Sequence, residues 1–514
     1  GNTYTFRANA DTVFEYIAFN KGSNAIKEPV SFGSVENQNL HGLGFYDMII
    51  VSHSLFVEQS QRLADLHYAK DGLKSLVVTP QKIYNEFSGG NQDATAIKQF
   101  LMMFYDRAAT AVELPKYLLL MGDASYKNRG RSTVGNTNFV VCFESANGIS
   151  YINSYVSDDY FGLLDESEGE GLTEQMDIAV GRIPVKSKDE AKAVVDKIYA
   201  YLQPQAIEVA NPSFCGTAGS VSSGDWRNII CFVADDEDNN LHFSQSERLA
   251  TYVDSTYHDY NIDKIYIDAF KQQSAAGGAR YPDVNTAINQ RVDRGALIVN
   301  YTGHGGETGW SQERILEVKD IESWNNANRL PLFVTATCEF SRFDDPGRTS
   351  AGEEVILRPN GGGIGLLTTT RLAYANFNET LNRNFYQNVF VRDTITKLFP
   401  RVGDVCTTTK NKTAAVSSGT SNHRNFSLLC DPAVRLNFPD YKVYTQSIND
   451  HPVTFLGDTL KSLTRITIKG YVMSLSGAKL SNYNGILYPT VYDKETKLKT
   501  LANDAQLSSV QNFK

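Results

Sequence analysis

The sequence predicts an α/β fold of two side-by-side subdomains with mostly parallel sheets, followed by a β-rich C-terminal region. Three observations carry this. Apolar strand-length runs alternate with helical patterns from about residue 42 to 440. The alternation breaks near 203–212 and starts again. After Pro439 the helical period stops and period-two alternation replaces it.

The elements follow in chain order. Residues 1–41 carry no strong period and read as a β-rich segment of short strands and loops. The first α/β subdomain spans 42–207. It opens on the apolar strand FYDMIIVS (45–52). A helical pattern at 58–72 then ends on Gly72, a residue suited to a left-handed helix stop. LKSLVVTP (73–80), a helix over 93–108 and KYLLLMGDA (116–124) continue the series. MDIAVGRIPV (176–185) is the next strand. The helix over 187–202 has Ser187 at its start and Glu190 three residues on, the spacing of a capping box.

The second subdomain spans 208–440. Its strands are NIICFVADD (228–236), IDKIYIDAF (262–270), ALIVNYT (296–302), LPLFVTATC (330–338) and GGIGLLTTT (362–370). Helices are expected over 244–257, 282–295 and 378–390. Such continuous apolar runs suit strands covered on both faces. From 441 to 514, RITIKGYVMSLSG (465–477) and ILYPTVYDKE (486–495) alternate in the manner of a β-sandwich, read as the start of a truncated domain.

Composition narrows the partners. The 514 residues are 41% hydrophobic and 21% charged, with net charge −9. Clustered Lys and Arg are missing from the sequence, so nucleic acid is not an expected partner. Six cysteines stand at irregular spacing with no CxxC pair, which argues against a zinc site. There is no run of apolar residues of membrane-helix length and no signal peptide at Gly1. The chain reads as a mature fragment of a longer precursor.

Two strand ends carry chemistry. ALIVNYT runs into Gly-His-Gly-Gly at 303–306, and LPLFVTAT ends on Cys338. Reactive groups in open α/β sheets collect at the carboxyl ends of strands. A thiol is mostly protonated at neutral pH, and an imidazole can take its proton and return it to a leaving amine. Cys338 is thus the candidate nucleophile and His304 its base. The backbone N–H groups of Gly305 and Cys338 are candidate oxyanion donors. Taken singly, a strand-end Cys is more often a small buried residue. The ordered pair, each at the end of an apolar strand, is what favours catalysis.

Other candidates are weaker. Asp158 and Asp159, in SDDYFG, read from the residues alone as caps of a turn. Glu144 is a candidate third residue orienting His304, with Glu307 as rival. Asp235, Asp236 and Asp238, with Asn239, could ligate calcium; without EF-hand spacing, a solvated acidic loop is the stronger reading. No cofactor is required by the thiol chemistry itself.

NYTGHGGETGW and LPLFVTATC resemble the catalytic motifs of the gingipain family of cysteine peptidases, within the caspase-like clan. YLLLMGDASY, SDDYFG, DIAVGRIPV and LLCDPAVRLNFP (428–439) fit as well, so the resemblance spans about 42–440. NGILYPTVYDK (484–494) is most similar to the sortase branch that serves the type IX secretion system of Bacteroidetes. The resemblance implies a caspase/gingipain-like sandwich followed by an immunoglobulin-like domain. It implies a cysteine peptidase or transpeptidase that removes the C-terminal sorting domain of an exported protein. The acceptor would be an amine of anionic lipopolysaccharide, and further partners would include an outer-membrane barrel. The place implied is the bacterial cell surface. The likeness also makes Asp158 a candidate substrate-pocket acid.

Overall fold

The computed structural model describes residues 34–128, 138–146, 148, 150, 153–203, 224–416, 420–454, 460–461, 463–484, 496–503 and 510–513, with Thr5, Arg7, Asn20 and Gly22. The chain divides into two compact units, Gly1–Asn39 and Leu40–Lys514, and the elements below belong to the second. The strand read at 486–495 and the break between the subdomains near 207 lie outside the described residues.

The first sheet contains β1 (Met48–Ser52), β2 (Ser75–Val78), β3 (Tyr117–Met121) and β4 (Ala179–Ile183), in the order β2-β1-β3-β4 and all parallel. The second contains β5 (Ile229–Ala234), β6 (Asn261–Tyr266), β7 (Ile298–Thr302), β8 (Leu332–Ala336), β9 (Gly365–Thr369) and β10 (Phe426–Leu429). Its order is β10-β9-β8-β7-β5-β6, parallel except for β10 at one edge. Helices cover both faces, which is why these strands are apolar throughout.

Side chains sort by period two. Ile50, Leu119, Phe232, Val334 and Leu367 share one apolar cluster that runs beneath both sheets. Their neighbours Ile49 and Leu118 face a second cluster, and Val233, Val299 and Phe333 a third. Each such side chain contributes roughly 1.5–3 kcal/mol by leaving water.

The sheets meet edge to edge at β4 and β10. A Cβ on Gly181 would lie 2.3 Å from the carbonyl oxygen of Cys430, so only glycine allows this approach. That explains the Cys-Asp-Pro of LLCDPAVRLNFP. Asp431 is fully buried, accepts from the Ala433 N–H at 2.9 Å, and lies 2.6 Å from His67 Nε2 on the helix Val57–Asp71. SDDYFG belongs to the same seam. Arg182 spends all five donors there, as a bidentate pair with Asp158 (2.7 Å twice) and on the carbonyls of Gly122, Val140 and Val141. Asp159 pairs with Lys410 and Arg424.

Gly72 adopts φ 68° beyond the helix Val57–Asp71, as expected. The Ser187 side chain accepts from the Glu190 N–H at the start of Lys188–Leu202, but the Glu190 carboxylate accepts from the Lys186 N–H, so only half of the expected capping box forms. After Pro439 the strands Tyr441–Ile448 (β11) and Ile468–Ser474 (β12) pair antiparallel, as a nascent β-sandwich would. The last described segment returns to the six-stranded sheet. Phe513 packs on Phe243 and Tyr266, and the Ala502 and Asn503 N–H groups bond the Asp268 carboxylate. Among the described residues, no helix is long and apolar enough to cross a membrane.

Candidate active site

Three neighbouring strands end at one level. Ala234 of β5, Thr302 of β7 and Ala336 of β8 are in register across the sheet. Two residues beyond each lie Asp236, His304 and Cys338. Neighbouring strands run about 5 Å apart, so the fold itself sets these positions side by side. The ladder continues one step further, with the Gly303 N–H donating to Ala336 O at 3.3 Å.

The backbone around His304 is fixed at both polar groups. Its N–H donates to Asp235 Oδ2 at 2.8 Å. Its carbonyl accepts from the Tyr301 hydroxyl at 2.6 Å and from the Ser311 N–H at 2.9 Å. Trp310, buried, stacks on Tyr301 with ring centres 4.4 Å apart and anchors the hairpin of Gly305–Gly306 and Gly309–Trp310. This explains the whole motif GHGGETGW. A Cβ on Gly305 would lie 2.5 Å from Thr337 Oγ1, the residue before Cys338. Glycine at 305 is therefore what lets the two loops touch. The Ser311-to-His304 bond also makes Gly305–Trp310 a pair whose members do not bond each other, leaving the Gly305 N–H out of that ladder.

Cys338 differs from the other described cysteines. Cys142, Cys231, Cys406 and Cys430 are buried, and burial pushes their thiols up, Cys406 to about 12. Cys338 is half-buried. Its thiol donates to Ala373 O at 3.6 Å and accepts from the Ala373 N–H at 3.4 Å. Glu339 beside it holds φ 49°, a backbone strain of the kind stored at working sites.

Burial pushes the Cys338 thiol up, opposed by the Ala373 N–H and assisted by Glu339. No hydrogen bond joins its sulfur to the His304 ring among the described residues. The resting pair is thus a neutral thiol beside an imidazole. A raised pKa favours the protonated form, so thiolate accumulates only as pH rises. Alkylation of Cys338 by iodoacetamide should keep accelerating from about pH 7 to about pH 9. A plateau reached by neutral pH, read by peptide mass mapping, would contradict this.

The group on the His304 ring is Asp238. Its Oδ2 lies 3.0 Å from His304 Nε2. That bond places the proton on Nε2 and leaves Nδ1 as the base. Asp238, Asn239 and Asn240 hold φ of 56°, 57° and 60°, a left-handed turn that lifts the carboxylate toward the ring. Asp238 was legible only as part of an acidic loop. The usable signal was that the strand carrying it ends beside the strand carrying His304.

The secondary candidates need correction. Glu144 bridges to Val156 and lies near Cys142, with no hydrogen bond to His304. Burial raises its pKa, and Asp344 adds to this. Glu307 is held by Arg342 (2.9 Å) and Arg348 (2.6 Å), not by His304. Asp158 is buried with both oxygens on Arg182, so its charge is spent inside the protein and not offered to a substrate.

The calcium triplet does not converge either. Asp235 and Asp236 group with Glu313, while Asp238 groups with His242 and His304. Asp235 is pushed well up by burial and by Glu237. Asp236, which accepts from the Tyr281 hydroxyl, is pushed up to about 7 by burial. Buried carboxylates that share protons with neighbours do not resemble a hard-cation cage built from all three aspartates.

Comparison with known proteins bears on the family and the fold. The sequence model of Peptidase family C25 matches residues 44–437. Lys-gingipain HG66 of Porphyromonas gingivalis is 22% identical over 255 residues, 49% of this chain; the match spans 12% of that relative's length. The crystal structure of the Arg specific cysteine proteinase gingipain R (RGPB) shares the fold. Its TM-score is 0.56 at 16% identity, covering 80% of this chain and 83% of that one. Dimeric latent PorU from Porphyromonas gingivalis is 27% identical, covering 87% of this chain and 36% of that one, with a TM-score of 0.45. With most of its length matched, strand ends included, the chain belongs to Peptidase family C25, the gingipain family of cysteine peptidases.

Proposed function

We propose that this chain is a thiol transpeptidase that cleaves exported proteins near their C-terminal sorting domain and passes the new carboxyl end to an amine. The observation that carries the chemistry is the register of β5, β7 and β8, which brings His304 and Cys338 to adjacent strand ends, with Asp238, in the turn after β5, 3.0 Å from the His304 ring. The choice of substrate and acceptor is supported by the resemblance of the sequence to the sortase branch of the family.

In this reading the Cys338 thiol gives its proton to His304 Nδ1 as the sulfur attacks the scissile carbonyl. The N–H groups of Gly305 and Cys338 receive the oxyanion. His304 returns the proton to the leaving amine, and the sorting domain departs. A thioester then joins Cys338 to the new carboxyl end. An incoming amine attacks it, loses a proton to His304, and leaves as an amide while the thiol is restored. The acceptor is an amine of anionic lipopolysaccharide. The place of action is the bacterial outer surface, alongside other type IX secretion components including an outer-membrane barrel.

Product mass tests the reading. The chain is incubated with a sorting-domain substrate and a simple amine such as glycinamide. The expected N-terminal product carries the amine in place of the hydroxyl of its carboxylate. A free carboxylate alone would reduce the function to plain gingipain-like hydrolysis. No cleavage at all would favour a non-catalytic assembly module.

A further inference from the structure

His242 lies on the helix Glu237–Thr256, one turn beyond Asp238. Only 4% of it is exposed. Its ring meets that of His304 edge-to-face, with centres 5.1 Å apart. Its Nε2 lies 3.4 Å from Asp238 Oδ2, out of line for a hydrogen bond, and both ring nitrogens are buried without a hydrogen-bond partner. A buried imidazole without a hydrogen-bond partner is destabilising, so its nitrogens call for a ligand.

We infer that Asp238, His242 and His304 form a binding site for a zinc-like divalent metal, and that the metal switches the thiol site off. One ligand atom from each residue lies within 4.8 Å of the other two. Zinc–ligand bonds of about 2.0–2.1 Å at tetrahedral angles place ligand atoms about 3.3 Å apart. Two separations already match: 3.0 Å from His304 Nε2 to Asp238 Oδ2, and 3.4 Å from His242 Nε2 to the same oxygen. The donor set of two imidazoles and one carboxylate suits zinc, cobalt or nickel, and not calcium. The His304 and Asp238 side chains are 41% and 52% exposed, so a metal has an entry path and water for its remaining position.

The switch follows from the tautomer. With Asp238 as partner, Nε2 of His304 carries the proton and Nδ1 is the base. A metal on Nε2 takes that position and moves the ring proton to Nδ1. The ring then has no lone pair left for the Cys338 proton. The inhibitory half of this inference rests on the proposed function; the binding half does not.

The test uses the full chain with Cys338→Ser, titrated with zinc ions against a chromophoric chelator. One equivalent should bind, and cobalt substitution should give the visible absorption of a low-coordinate site. His242→Gln should weaken zinc binding at least about tenfold at an unchanged melting temperature. Equal affinity in His242→Gln overturns the site. If that variant fails to fold, Asp238→Asn replaces it, with the same two outcomes. In the wild-type thiol enzyme, zinc should abolish turnover and a chelator restore it. His242→Gln should keep metal-free turnover and raise the inhibitory zinc concentration at least about tenfold. Tight binding at this site without inhibition overturns the switch and leaves the site. Loss of all metal-free activity with binding intact counts against the proposed function alone.

Discussion

Asp158→Ala should destabilise the protein by about 3–5 kcal/mol, because it strands a fully buried guanidinium. Arg182 has no exposed surface, and Asp158 neutralises it with two 2.7 Å bonds. The pair sits where the two sheets meet, so the loss should appear as a lowered melting temperature of the whole unit. Asp158→Asn keeps the shape and one acceptor, and should recover part of the loss. If Asp158 instead lined a substrate pocket, Asp158→Ala would melt normally and change only side-chain preference. Thermal melting beside a substrate panel separates the two.

Cys338→Ala should lower turnover by about four orders of magnitude or more while leaving the melting temperature nearly unchanged. The side chain is half-buried and its two bonds are both to Ala373, so its removal leaves only a small gap. His304→Ala should cost about as much, since the two residues act as one unit. Asp238→Asn should cost less, about tenfold to a hundredfold, because the Asp238–His304 pair is half exposed and screened by water. Steady-state turnover on a sorting-domain substrate measures all three. A Cys338→Ala variant that still turned over would remove the mechanism.

Much of this architecture is legible in the sequence, for a physical reason. Strands buried on both faces must be apolar throughout, so FYDMIIVS, KYLLLM, ALIVNYT and LPLFVTAT announce themselves. The helix Val402–Val416 does not. It turns threonines such as Thr409 and Thr413 inward, and these hide its apolar stripe. The edge strand Phe426–Leu429 is four residues long and antiparallel, too short for a period to emerge.

The site divides in the same way. His304 and Cys338 are visible because each ends its own apolar strand. Asp238 is not, because its role depends on strand order: β5 lies next to β7 only after the chain between Ala234 and Ile298 has looped through β6. Asp158 misleads because a buried ion pair and a pocket acid share the same local sequence. Trp310 and Gly305 gain meaning only once the hairpin is seen folding back over Tyr301 and against Thr337.

The most direct test of the central claim is the site of covalent labelling by a peptidyl acyloxymethyl ketone, which requires both a nucleophilic thiol and an imidazole to activate it. Peptide mass mapping should find the label on Cys338 alone in the native chain and lose it in His304→Ala. A label on another cysteine, or on Cys338 at an unchanged rate in His304→Ala, would contradict the pairing of the two residues.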